Sequence, residues 1–265
     1  MNGYDSGAAT FRASGEWTRS WLRPWPGVGP VTFSLGDFDK DEKRVYIKTN
    51  KGDDVDLARL EIMDPATGST EVVESNPEKQ VDFGDAVFDE QTHDVMATAY
   101  VGDRVRIYPK TERCEKDLER MRQALPAGDL AFGSSSVEPG ATYLYDRQKG
   151  TFKLQYRIRE KLDRKQLATM TPIRYRARDG LMIPAYLTLP KGVPAKNLPV
   201  VLSPHGGPWA RDMWGYDPDI QFLANRGYAV FQPNFRASRG YGKKFLNAGN
   251  KEWARARCRT TSPTA

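Results

Sequence analysis

Pro199-Val-Val-Leu-Ser-Pro-His-Gly-Gly-Pro-Trp209, and after it Gln221-Phe-Leu-Ala-Asn-Arg-Gly-Tyr-Ala-Val-Phe-Gln-Pro-Asn-Phe235, decide the fold of this chain. Pro199 to Ser203 is a short apolar run of the kind that a strand buried on both faces needs. His205-Gly206-Gly207-Pro208 reads as a turn whose two residues without Cβ let other atoms come close to the main chain. Gln221 to Asn225 reads as helix, Gly227 as its stop, and Tyr228 to Gln232 as a second buried strand. Strand, helix and strand over this length imply a right-handed crossover between parallel strands of one sheet.

The His-Gly-Gly turn has two readings. It can simply join strand to helix. It can also do chemistry, because α/β-hydrolases use such a turn to aim a backbone N–H at the oxyanion of a tetrahedral intermediate, ahead of a Gly-x-Ser-x-Gly nucleophile elbow. A glycine there lets the substrate carbonyl reach the amide.

The flanks extend the pattern. Ile173 to Leu189 precedes it and carries Arg178-Asp179-Gly180 at a tight hairpin turn. Asn234-Phe235-Arg236-Ala237-Ser238-Arg239-Gly240-Tyr241-Gly242 follows it, and Ala248-Gly249-Asn250-Lys251-Glu252-Trp253 comes next. From about Thr171 to Trp253 this resembles the prolyl oligopeptidase family of serine peptidases, in its acylaminoacyl-peptidase and dipeptidyl-aminopeptidase branch. The resemblance implies a β + α/β chain, with C-terminal blades of a β-propeller ahead of the N-terminal half of an α/β-hydrolase domain.

The upstream residues read as short strands broken by turns. Val31–Leu35, Arg44–Thr49, Leu57–Met63 and Thr70–Val73 are spaced like one propeller blade or part of a sandwich. Ala86–Asp89, Val95–Val101 and Arg104–Tyr108 suggest a second unit, followed by a helix over Glu112–Leu125. Asp129–Gly133, Thr142–Tyr145 and Phe152–Tyr156 suggest part of a third. The first thirty residues, with Trp17, Trp21 and Trp25, have room for one more strand pair. Ile158–Thr171 is polar and reads as a linker. The expected division is 1–165 for two to three blades with an inserted helix, 166–253 for the hydrolase part, and 254–265 for an aberrant basic tail.

By resemblance, Gly207 offers an oxyanion-hole N–H, Gly206 supports the turn, and His205 shapes it without serving as the general base. In this fold the base lies far beyond the His-Gly-Gly turn, in the order Ser, Asp, His. Trp209, Arg211 and Asp212 lie where the family has its substrate cleft, so a peptide contact is one reading. The other is that Arg211 and Asp212 pair with each other or with solvent. No nucleophile elbow occurs. Gly133-Ser134-Ser135-Ser136-Val137 comes nearest, but has valine at the second glycine and reads as a strand in the propeller-like half. Ser238 matches a family serine that is not the nucleophile, and Ala237 replaces the glycine usual before it.

Cys114 and Cys258 form no metal motif, and with only two histidines, His93 and His205, no cofactor or metal is expected. The net charge is +6, and three of the charges are Arg255, Arg257 and Arg259, so a nucleic-acid surface has little support. No apolar run reaches membrane-spanning length. The default compartment is the cytoplasm, or the periplasm if a leader precedes Met1. Ala256–Ala265 can be encoded by a string that also spells Lys-Met-Gln-Asp-Asp-Leu-Thr-Asp-Gly two bases on, which is the family's expected helix. A frameshift is therefore expected at the tail, against the alternative of a genuine basic tail. Function follows on two lines. One is a fragment of a serine peptidase acting on short peptides through an acyl-enzyme, inactive alone for want of Ser, Asp and His. The other is a non-catalytic β-module that binds a peptide or partner chain. An esterase or lipase is a third, weaker line.

Overall fold

Two antiparallel meanders and one mixed sheet hold most of the strands in the computed structural model, which describes residues 8–11, 17–20, 33–124, 135–207 and 209–252. β1 (Ala8–Phe11) and β2 (Trp17–Ser20) pair as an antiparallel hairpin, the strand pair for which the first thirty residues left room. The expected strand at Asp129–Gly133, the side chains of Trp21 and Trp25, Pro208, Trp253 and the tail 254–265 lie outside the described residues.

The first meander runs in chain order through β3 (Phe33–Phe38), β4 (Val45–Thr49), β5 (Arg59–Met63) and β6 (Thr70–Glu74). β4 shows why. Val45, Ile47 and Thr49 are buried while Tyr46 and Lys48 are half-buried, the two-residue period of a pleated strand. Asp39 closes the β3–β4 turn by accepting the N–H groups of Lys43 and Arg44. β7 (Phe83–Phe88), β8 (Val95–Val101) and β9 (Val105–Pro109) form the second meander. The two meanders share a core of Leu60, Val81, Phe83 and Tyr100. Glu74, at the end of β6, accepts the hydroxyls of Thr98 and Tyr100 at 2.8 and 3.1 Å and pairs with Lys110. Burial, with the Glu74 charge beside it, pushes the Tyr100 phenol up.

α1 (Glu112–Ala124) follows, and its buried Asp117 takes the Tyr145 hydroxyl at 2.8 Å and the Arg147 guanidinium at 2.8 Å. That carboxylate fastens the helix to the hairpin of β10 (Ala141–Asp146) and β11 (Thr151–Arg157). Of the Gly133–Val137 segment, only Ser135 to Val137 are described, and these are not in a strand. They form a turn closed by an isolated bridge between Ser135 and Glu138, and Ser136 O accepts the Gln221 side-chain amide at 3.0 Å.

The third sheet is ordered β12-β13-β15-β14. β12 (Met170–Arg176) and β13 (Met182–Thr188) make the hairpin expected around Gly180, which has φ +90°. β14 (Val200–Leu202) leads to α2 (Pro218–Asn225) and β15 (Ala229–Pro233), and β14 and β15 pair parallel. Asp217 caps α2 by accepting the N–H groups of Asp219 and Ile220, Pro218 opens it, and Gly227 at φ +91° ends it. α3 (Lys243–Asn247) comes last. β15 is buried throughout, as its composition predicts. β14 is not. Val200 and Leu202 are 66% and 45% exposed, and among the described residues β14 is the edge of this sheet with β15 on one side.

Candidate oxyanion turn

The turn after β14 is held by contacts from residues far along the chain. His205 is half-buried and its ring stacks on Phe235, with centroids 4.4 Å apart and planes 17° from parallel. Its Nδ1 lies 2.8 Å from Gly206 O, and its Nε2 lies 2.8 Å from Ser238 Oγ. A carbonyl can only accept, so Nδ1 carries a proton and Nε2 faces the Ser238 hydroxyl. Ser238 is fully buried and its Oγ lies 2.6 Å from Phe235 O. Both ring nitrogens of His205 are thus spent on the turn and on the segment after β15.

Gly207 has φ +120°, and a Cβ built there would stand 3.0 and 3.1 Å from the N atoms of Trp209 and Ala210. A side chain would be strained by conformation and by contact at once. Gly206 and Gly207 are both exposed, and among the described residues neither N–H donates to a protein acceptor. An unpaired N–H in an exposed turn after a parallel strand can receive a negatively charged oxygen.

Beyond the turn, Asn234 pins the main chain. It is fully buried, its Oδ1 accepts the Asp212 N–H at 2.7 Å, and its Nδ2 donates to Asp212 O at 3.1 Å. The Asp212 carboxyl is held above the ordinary carboxylate range, chiefly by burial, against the pull of His205 and Arg211. Asp212 and Arg211 do not form the side-chain pair that was one reading of them. Arg211 keeps a long Nε hydrogen bond to Asp212 O at 3.4 Å and donates with its terminal nitrogens to Val101 O and Gly102 O, both at 2.8 Å, and to the Tyr241 hydroxyl at 2.7 Å. Its guanidinium lies 4.3 Å from the centre of the Tyr241 ring. These donors are engaged by protein oxygens. Trp209 is 48% exposed beside the turn.

The segment 238–244 is clamped against the first two meanders. Asp82 N–H donates to Gly240 O at 3.0 Å, and Lys243 N–H to Asp56 O at 2.9 Å. The buried Lys243 ammonium reaches Asn50 O and Gly52 O at 3.2 and 2.7 Å. Gly240 and Gly242, both at φ +90°, allow this approach, since a Cβ at Gly242 would stand 3.0 Å from the side chains of Asp56 and Leu57. Ala237 is buried at φ +78°, a left-handed position that costs an L-residue roughly 1–2 kcal/mol. Gly249 gives its methyl room, because a Cβ there would lie 2.4 Å from the Ala237 Cβ.

Sequence reading missed Asn234, Tyr241 and Lys243 as supports of the site. The one available signal was the spacing of Gly240 and Gly242, which marks close approach of another part of the chain. Among the described residues no group of three or more His, Cys, Asp or Glu side chains is placed to hold a metal ion, and no helix is long and apolar enough to cross a membrane.

With this geometry in hand, likeness to known proteins can be placed on it. Residues 214–259 match the model of the prolyl oligopeptidase family. Dipeptidyl aminopeptidase BIII of Pseudoxanthomonas mexicana is 35% identical over 274 aligned positions, which cover 94% of this chain and 38% of that protein. Dipeptidyl peptidase family member 6 of Caenorhabditis elegans is 30% identical, covering 85% of this chain and 34% of that protein. The chain therefore spans little more than a third of these relatives. Prolyl oligopeptidase B of Galerina marginata superposes with a TM-score of 0.64 at 15% identity, over 95% of this chain and 36% of that one. That likeness is one of fold, a β-propeller with an α/β-hydrolase domain. Sequence and fold agree along nearly the whole chain, and the chain belongs to the prolyl oligopeptidase family.

Proposed function

We propose that these residues serve the serine-type hydrolysis of short peptides, with the Gly207 N–H as one oxyanion donor. The observation that carries this reading is the exposed Gly207, its N–H without a protein acceptor among the described residues, at the end of a strand parallel to β15. In the reaction a serine Oγ gives up its proton to a histidine base and bonds to the peptide carbonyl carbon, and the C=O π pair moves to oxygen. The Gly207 N–H stabilises that charge. Collapse then expels the amine as the same proton is passed to the leaving nitrogen, and water hydrolyses the acyl-serine. Gly206 and His205 keep the turn open, and Trp209 offers an apolar face to the peptide. Within this reading, residues 1–165 belong to the propeller and residues 166–253 to the hydrolase domain.

The same reading makes the 265 residues inactive by themselves. Their sequence has no Gly-x-Ser-x-Gly, His205 is engaged at both nitrogens, and His93 sits in the turn between β7 and β8. A fluorophosphonate probe should label no serine of the purified chain, and stoichiometric labelling at one serine would overturn the claim. The oxyanion role has its own test, in a chain that carries these residues together with a serine elbow. Gly207→Ala displaces the N–H and should lower kcat by about 10²–10³ with KM little changed. An unaltered kcat removes Gly207 from the mechanism.

A second reading is a binding module, favoured by Trp209 and Met213, which are 48% and 57% exposed. It requires a monomer that melts in one cooperative step, where a molten or aggregating chain speaks against it.

A further inference from the structure

Arg211 stands four residues beyond Gly207, on a main chain locked to either side of it. Ala210 O accepts the Arg239 N–H at 3.0 Å, and the Asp212 peptide groups are held by Asn234. From this fixed point the side chain crosses to the β8–β9 turn. Val101 O and Gly102 O are successive carbonyls, and the two terminal guanidinium nitrogens each take one. A planar fork suits that spacing, whereas an ammonium is a single point. The β8–β9 turn is itself closed, since Gly102 N–H donates to Arg104 O at 3.0 Å. Tyr241 completes the set. Its hydroxyl meets Arg211 at 2.7 Å and Asn234 at 2.9 Å, so the cation and the amide that pins Asp212 share one oxygen. Gly240 makes room, because a Cβ there would lie 2.6 Å from Arg211 Nη1.

We propose that Arg211 is a positioning residue that couples the β8–β9 turn to the turn carrying Gly207, so that the propeller side sets where the oxyanion donor stands. The catalytic meaning of this link rests on the reading of Gly207 given above, but the link itself does not. Arg104 of the same turn also lies 4.2 Å from the centre of the Trp214 ring, but Arg211 is the link that reaches the main chain four residues beyond Gly207.

Hydrogen–deuterium exchange on the 265-residue chain tests the coupling, with Arg211→Met, Arg211→Lys and Tyr241→Phe as variants. In Arg211→Met, amides of residues 203–212 and of residues 100–105 should both exchange about tenfold faster, while β12 and β13 keep the parental rate. Arg211→Lys keeps the charge but not the fork and should not restore protection. Tyr241→Phe should raise exchange in the same two segments by a smaller factor. Parental exchange over 203–212 in Arg211→Met overturns the proposal. So does an equal rise in every segment, which marks a residue that only adds to global stability. If Arg211→Met does not fold, Tyr241→Phe decides on the same segments. Loss of the Gly207 assignment in the kcat test leaves this exchange pattern unaffected, so the two failures can be told apart.

Discussion

β14 and β15 are neighbours in one sheet, parallel, and almost equally apolar in sequence, yet they have opposite environments. Every residue of β15 is buried, and Val230 is completely so. β14 leaves Val200 and Leu202 largely open to solvent. The difference is one of position. β15 has β13 and β14 on its two sides and α2 packed nearby, whereas β14 pairs, among the described residues, with β15 alone. Apolar composition makes a strand able to be buried. Only its neighbours bury it.

Paired substitutions break or sharpen this contrast. Val230→Asp puts an unpaired charge in the middle of β15 and should cost more than about 4 kcal/mol, enough to abolish cooperative thermal unfolding. A variant that melts like the parent would mean that β15 is not the buried strand of the pair. Phe235→Ala, just past the end of β15, removes a fully buried ring and the surface on which His205 stacks. A loss of about 3–5 kcal/mol is expected in urea titration, with faster amide exchange at His205 to Gly207. Asp212→Asn probes the loop that returns from β14 to β15. The folded pKa of Asp212 is raised by burial, so its contribution is present below the ordinary carboxylate range and lost as the pH rises through the folded value. The variant should therefore match the parent near pH 3 and be the more stable of the two at pH 7. A crossing in the other direction would show that the carboxylate, not the acid, is the stabilised form. Val200→Asp, the counterpart of the first change on the edge strand, should shift stability by no more than about 0.5 kcal/mol. A loss comparable to that of Val230→Asp would show that β14 is covered in solution.

The Gly207 turn and the Arg211 link divide the site in the same way. His-Gly-Gly after an apolar run was visible as a turn, because an apolar run and two residues without Cβ are local properties. The direction of Arg211 was not visible. In sequence it stands beside Asp212, and surface pairing or a peptide contact were the natural readings. Its acceptors are Val101 O and Gly102 O, about a hundred residues earlier, and no local pattern points to them.

The sequence by itself determined the periods and the punctuation. Turn punctuation and four-strand spacing marked the first meander, Asp179-Gly180 marked the β12–β13 hairpin, and Gly227 marked the end of α2. Each of these follows from interactions within a few residues, so they can be read before the chain is folded. The tertiary structure alone decided that β13 lies between β12 and β15, that β14 is an edge, and that His205 meets Ser238. It also placed Lys243 and Arg211 on main-chain carbonyls of the two meanders. These contacts join residues from thirty to nearly two hundred positions apart. They exist because sheet order and close packing bring the chain back upon itself, which no local period encodes.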